Sequence, residues 1–279
     1  MESLKRVLAI HDVSGVGKCS LTVALPIISA AGVECSVLPT AVLSTHTGGF
    51  TGFTFRDLTD DIPAIAAHWK KENITFDAIY TGYLGSVRQA DMVAEIFEQF
   101  GKNAVKIVDP VMADNGKLYP MFGQDMVAGM KKLCSKADII IPNRTEAAFI
   151  LGKDYYGGVL TESSAKELLD DLVSLGAKKA VLTGVFFDDN DLGAASVDSD
   201  SNEYSFAKND RISGAYHGTG DVFASFLTGA IMRGKSLKES VQTAVNFTVE
   251  AIKLTAAECG SSRMGVRFES VLGEYAKSL

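Results

Sequence analysis

The sequence predicts an α/β fold, a central mostly parallel sheet with helices on both faces. Three observations carry this. Short apolar runs rich in Val and Ile recur along the chain, stretches of helical period separate them, and each run is apolar nearly throughout, as strands buried on both faces require. Core strands are expected at residues 6–10, 34–39, 78–80, 105–109, 139–142 and 180–183. Helices are expected at 20–31, 62–72, 89–100, 124–135, 163–175, 219–234 and 237–254, with Pro26 kinking the first. Residues 192–211 alternate on either side of Asp198-Ser199-Asp200-Ser201-Asn202, a polar turn cluster, which predicts an antiparallel edge hairpin. The sheet should therefore be mixed. Residues 43–57 (LSTHTGGFTGFTFRD) are too irregular for a helix and too aromatic for an idle loop, and read as a flap. No repeat, low-complexity tract or linker divides the 279 residues, so one domain spanning 1–279 is expected.

Composition narrows the function. With 47% hydrophobic and 22% charged residues the chain can bury a large core, which excludes disorder. Its 34 acidic and 27 basic residues leave a net charge of −7 with no local basic patch, so nucleic acid is not an expected partner. The start, Met1-Glu2-Ser3-Leu4-Lys5-Arg6, lacks the succession of a signal peptide, and no 18-residue apolar run occurs; a cytoplasmic protein without a membrane partner is expected. Cys19, Cys35, Cys134 and Cys259 form neither a CxxC pair nor a disulfide framework, and are expected to pack as small hydrophobes without zinc.

The most informative string is Gly218-Thr219-Gly220-Asp221, placed between a polar loop and an apolar helical run. Two glycines let the backbone approach a ligand, and the free N–H groups of a helix start favour an anion. Asp221 would repel a phosphate there unless it accepts a proton from an attacking hydroxyl, which makes the string a candidate phosphoryl-transfer site; it also reads as an ordinary acid in a first helical turn. Ser14-Gly15-Val16-Gly17-Lys18-Cys19-Ser20 imitates a phosphate-binding loop but has Asp12 where the first glycine belongs and Cys19 where the metal-binding hydroxyl belongs. Asp12 and Ser14 nevertheless fall at the carboxyl end of the first strand, where open α/β sheets bind ligands.

Other strand ends carry polar residues too. Asp109 ends one buried run, Asn143 and Glu146 follow another three apart, Thr183-Gly184 ends the next, and Tyr83-Leu84-Gly85-Ser86 follows the strand ending at Tyr80. Carboxylates and an amide beside phosphates suit a hydrated Mg²⁺, while Asn143 and Glu146 equally make a helix cap with its capping-box partner. His11 and His68 read as structural or surface residues, and His217 as packing against the glycine turn. His46, in the flap with Phe50 and Phe53, either hydrogen-bonds a polar aromatic substrate or holds the flap in shape.

Together these strings resemble the ribokinase-like superfamily, and within it the vitamin B6 (pyridoxal, pyridoxine and pyridoxamine) kinases. The resemblance spans nearly the whole chain: Ala9-Ile10-His11-Asp12, Ser44-Thr45-His46-Thr47, Thr81-Gly82-Tyr83-Leu84-Gly85-Ser86, Asp109-Pro110-Val111-Met112, Pro142-Asn143-Arg144-Thr145-Glu146 and Gly218-Thr219-Gly220-Asp221, in that order. It implies that Asp221 is the base for a 5′-hydroxymethyl group and that the backbone of Gly218, Thr219 and Gly220 is the anion hole. It implies Asp109, Asn143 and Glu146 for the phosphates, Asp109 and Glu146 for Mg²⁺, Thr183 and Gly184 for the nucleotide, and Asp12, Ser14, His46, Thr47 and Tyr83 for the substrate. ATP, Mg²⁺, room for a monovalent cation and a homodimer are implied as well. Asp12 stands where many B6 kinases carry Ser, and Asp12-Val13-Ser14-Gly15-Val16-Gly17 is similar to the first turn of hydroxymethylpyrimidine kinases of thiamin synthesis, which keeps that substrate as the alternative. The flap and the TGYLGS segment favour B6. A ligand-binding member without catalysis is the remaining alternative, and an intact Asp221 counts against it.

Overall fold

The structure is a computed structural model and describes residues 4–259 and 263–279. Met1, Glu2 and Ser3 of the N-terminal segment and the Cys259 side chain lie outside the described residues. In chain order the strands are β1 (Arg6–Ser14), β2 (Glu34–Leu43), β3 (Phe55–Asp57), β4 (Ala78–Thr81), β5 (Val105–Val108), β6 (Ala113–Asp114), β7 (Lys117–Leu118), β8 (Ile139–Ile140), β9 (Lys179–Val185), β10 (Asp191–Asp198) and β11 (Glu203–Asp210). The helices are α1 (Leu21–Ala30), α2 (Ile62–Lys71), α3 (Val87–Phe100), α4 (Gln124–Cys134), α5 (Arg144–Leu151), α6 (Glu162–Val173), α7 (Thr219–Met232), α8 (Leu237–Cys259) and α9 (Leu272–Ser278).

Among the described residues the main sheet runs β11-β10-β9-β8-β5-β4-β1-β2-β3. From β2 to β9 every neighbouring pair is parallel. These strands are the six apolar runs of the sequence. The 192–211 hairpin is present as β10 and β11, antiparallel to β9 and to each other. The opposite edge is antiparallel as well, because β3, a strand within the segment expected as a flap, pairs with the end of β2.

Two cores cover the two faces. Leu8, Ile10, Ile79, Val108 and Leu182 pack with α2, α3, α4 and α6, whereas Val7, Tyr80, Ile107 and Val181 pack with α1, α7, α8 and Tyr275 of α9. Alternation along each strand divides the residues between the faces. Helix α7 is buried without interruption from Val222 to Ala230, so packing anchors the helix directly behind its first turn. Pro26 lies inside α1, which continues to Ala30. Ser86 caps α3 by accepting from the Gln89 N–H at 3.2 Å, so the helix starts two residues before the expected Gln89. Helix α8 runs five residues beyond the expected Leu254. No described helix is long and apolar enough to cross a membrane.

Candidate active site

The carboxyl ends of β1, β4, β5, β8 and β9 and the first turn of α7 surround a cavity of about 610 Å³. An open α/β sheet leaves its ligand crevice at this side, because crossover connections carry the chain away from it. Asp12, Ser14, His46, Thr47, Tyr83, Asp109, Asn143, Glu146, Thr183, Gly218, Gly220 and Asp221 line it. Two expected residues do not. The Thr219 hydroxyl turns back to donate to the Tyr216 carbonyl at 3.3 Å, and Gly184, exposed with a φ of +69°, is the extra residue where β9 shifts register against β10.

Asp221 stands in the first turn of α7, in the region where the helix dipole is positive. Its Oδ1 has no hydrogen-bond partner, and burial pushes the carboxyl up to about 7 against the opposing hydrogen bond from the Ser20 backbone. A carboxyl at that value gives and takes protons near neutrality. The turn before it depends on Gly218, whose φ of +74° is a left-handed conformation and whose missing Cβ leaves room for the Lys18 carbonyl. A Cβ on Gly220, in contrast, would meet nothing within 4 Å.

The wall opposite is acidic. Glu146 accepts from the Met112 N–H at 3.1 Å and the Asn143 N–H at 2.9 Å, while Asn143 Oδ1 accepts from the N–H groups of Thr145 and Glu146 and its Nδ2 donates to the Ala113 carbonyl at 2.8 Å. The pair is therefore a complete capping box for α5, and its polar atoms are largely committed to that task. Burial first, and then Glu146 and Asp221, raise Asp109 well above the usual carboxylate range; burial likewise raises Glu146. Among the described residues no Lys or Arg lines the cavity. Among the described residues no three His, Cys, Asp or Glu side chains cluster as a ready metal cage, so Asp109 and Glu146 alone cannot complete a coordination sphere.

The raised carboxyls predict an unusual pH dependence. Between the unfolded value near 4 and the folded value of about 7, Asp221 holds a proton that the unfolded chain releases, so stability is fullest at low pH and falls as pH rises through 7. Asp109 and Glu146 act in the same direction. The melting temperature without added cations should drop by roughly 5 °C from pH 5.5 to pH 8, and Asp221→Asn should flatten the fall. Thermal denaturation by circular dichroism at both pH values checks this.

The flap closes one end of the cavity. His46 Nδ1 accepts the Gly48 N–H at 3.1 Å and its Nε2 lies 2.6 Å from the Arg263 carbonyl, which fixes the Nε2-protonated neutral tautomer. Both ring nitrogens are thus used in holding the flap to residue 263, while the ring itself borders the cavity. The flap also rests on the first turn through Gly15 N–H to the Leu43 carbonyl and Val16 N–H to the Ser44 carbonyl. Lys18, the lysine of the apparent phosphate loop, pairs instead with Glu269 at 2.7 Å. His11 is structural: it is fully buried, packs against Tyr80 with ring centroids 4.5 Å apart, and burial lowers it to about 3.

Several lining residues escaped the sequence reading. Asp114, Tyr119, Pro120 and Met121 come from the hairpin β6–β7 and the segment after it. Its turn is Asn115-Gly116, both with positive φ, and that dipeptide was the available signal. Cys19 and Ser20 enter from the end of the first turn, with Ser20 at φ +53°.

An acid with an unpartnered oxygen on a glycine turn, facing an open strand-end cavity, is the arrangement a small-molecule kinase uses. The chain belongs to the phosphomethylpyrimidine kinase family, whose model matches residues 25–267. It is 34% identical to pyridoxal kinase from Lactobacillus plantarum, with a TM-score of 0.91 over 99% of this chain and 98% of that one. A Bacteroides thetaiotaomicron protein described as a phosphomethylpyrimidine kinase, in a crystal form with pyridoxal, is 39% identical with a TM-score of 0.93, covering 98% of this chain and 96% of the other. Pyridoxal kinase from Dictyostelium discoideum is 30% identical over 168 residues, 56% of this chain and 54% of that protein.

Proposed function

We propose that the protein is an ATP-dependent kinase that phosphorylates the 5′-hydroxymethyl group of a vitamin B6 vitamer. The observation that carries this reading is Asp221, half-buried on the glycine turn with one oxygen buried and unpartnered and a carboxyl raised to about 7. In the proposed reaction the vitamer ring lies between Tyr83, Phe53 and the flap, with Asp12, Ser14, His46 and Thr47 around it. Asp221 takes the proton of the hydroxymethyl group as the hydroxymethyl oxygen attacks the γ-phosphorus of ATP, the bond from that phosphorus to the β,γ-bridging oxygen breaks, and ADP leaves. The N–H groups at Gly218, Thr219 and Gly220 meet the charge that develops on the transferred phosphoryl group. Thr183, Gly184, Asn143 and Asp109 take the nucleotide side.

The donor set fits Mg²⁺. Asp109 and Glu146 are hard oxygen donors whose mutual repulsion a cation would relieve, and they would hold it partly through water. When bound, the ion supplies charge neutralisation on the phosphates. A cytoplasmic homodimer belongs to the same reading, supported for the dimer by exposed Val42 and Phe55 on the β2–β3 edge; a monovalent cation beside the nucleotide is compatible with it.

Hydroxymethylpyrimidine as substrate is the second reading, favoured by the Asp12-Val13-Ser14-Gly15-Val16-Gly17 turn and by the family match. ATP consumption measured side by side with pyridoxal, pyridoxamine, pyridoxine and hydroxymethylpyrimidine separates the two. Turnover of at least one vitamer with a kcat/KM roughly tenfold or more above that for the pyrimidine is expected. Turnover of the pyrimidine alone would establish the second reading.

A further inference from the structure

We propose that Asp12 determines specificity by reading a positive charge on the substrate, so that the enzyme favours the vitamer with an aminomethyl substituent, pyridoxamine. The inference rests on the kinase reading and extends it to the choice among vitamers.

The cavity has two ends. Strands β1 and β5 are separated by β4, so Asp12 at the end of β1 and Asp109 at the end of β5 sit two strand spacings apart, roughly 10 Å. The Asp109 end is where cations and phosphates balance one another. At the other end Leu43, Phe53, Tyr83 and Met121 form the apolar part of the wall, and Ser14 and Ser20 stand against the Asp12 carboxylate. Asp12 is 5% exposed and accepts from the Ser14 hydroxyl at 3.1 Å. The Ser20 side chain and the Asp12 backbone also hydrogen-bond it, but all of these donors are neutral and none supplies the counter-charge that a buried carboxylate lacks.

Among the described residues no Lys or Arg lines the cavity; Lys18, in the adjoining turn, is paired with Glu269, the Arg263 guanidinium lies over the Phe50 ring at 4.6 Å, and His217 packs at the His46 ring, 5.6 Å between centroids. His46, the ring nearest in the flap, has both nitrogens in use, and burial lowers it, so it is neutral. A substrate carrying an ammonium group therefore finds a buried carboxylate with neutral partners only, and a charge-assisted hydrogen bond to it discriminates strongly against a neutral hydroxymethyl or aldehyde in the same place.

The test is the ratio of kcat/KM for pyridoxamine to that for pyridoxine, measured at saturating Mg-ATP in the wild type, Asp12→Asn and Asp12→Ser. Asparagine keeps the shape and removes the charge; serine removes both. The ratio should fall by at least about tenfold in both variants. A smaller fall in either overturns the proposal. If a variant has no measurable turnover, dissociation constants for the two vitamers, read from their own fluorescence, give the ratio with the same threshold. Wild-type enzyme that phosphorylates no vitamer would refute the kinase reading itself, whereas a wild type active on both with an unmoved ratio refutes only the role of Asp12.

Discussion

Asp221→Asn is expected to lower kcat by roughly 10²–10⁴-fold while leaving the melting temperature at pH 8 no lower than that of the wild type. The amide keeps the size of the side chain and can still accept the hydrogen bond from the Ser20 backbone, but it cannot take a proton. At pH 8 the wild-type carboxyl is ionised inside a buried pocket, which is unfavourable, and the neutral amide removes that charge. Activity and stability should therefore separate. The wild-type kcat/KM should rise with pH and level off above about 7 as Asp221 loses its proton, and the rise should vanish from the residual activity of the variant. Steady-state rates from pH 5.5 to 9 check both, and a variant keeping more than about a third of wild-type kcat would show that Asp221 is not the base.

Gly218→Ala should have the second largest effect, and Gly220→Ala the more informative one. At 218 a Cβ would have to share space with the Lys18 carbonyl and would come within 3.2 Å of Cys19 Sγ, on a backbone whose φ of +74° already disfavours any side chain. The turn cannot keep its shape, so kcat/KM should fall by roughly 10²-fold or more and the melting temperature should fall with it. At 220 a Cβ meets no atom and projects into space at the mouth of the cavity, on a helical backbone that alanine favours over glycine. Gly220→Ala should melt no earlier than wild type and yet lose kcat/KM, because the methyl group occupies space that the transferred phosphoryl group needs. Comparing kcat/KM with the melting temperature for the two variants tests this, and Gly220→Ala with wild-type kcat/KM would mean that the phosphoryl group does not pass over this turn.

What the sequence made legible follows from what each residue had to satisfy. The six parallel strands were readable because burial on both faces leaves Val7 to Ile10, or Ala180 to Leu182, no freedom to be polar. The cavity was readable because polar residues directly after such runs, Asp12, Asp109 and Asn143, have little reason to be there unless they face the crevice. The short pieces were harder. Strand β3 is three exposed residues whose partner lies across the flap, and nothing local marks it. The β6–β7 hairpin announced itself only through Asn115-Gly116, yet it brings Asp114 and Tyr119 to the site. Asn143 and Glu146 could not be apportioned between capping and binding by spacing alone, because both uses need the same three-residue separation; the hydrogen bonds show the capping box. For His46 the sequence allowed two uses, and the partners of both ring nitrogens come from residues no spacing rule connects, Gly48 two residues on and Arg263 from the C-terminal segment.

The central claim is that Asp221 and the substrate hydroxymethyl group meet across the glycine turn. A crystal structure of the enzyme with pyridoxamine, Mg²⁺ and a non-hydrolysable ATP analogue measures this directly. The account predicts an Asp221 carboxylate oxygen about 3 Å from the 5′-hydroxyl oxygen, with the terminal phosphate against the N–H groups of residues 218–220. A vitamer bound with its hydroxymethyl group turned away from Asp221, or a terminal phosphate seated elsewhere than on the α7 turn, would contradict it.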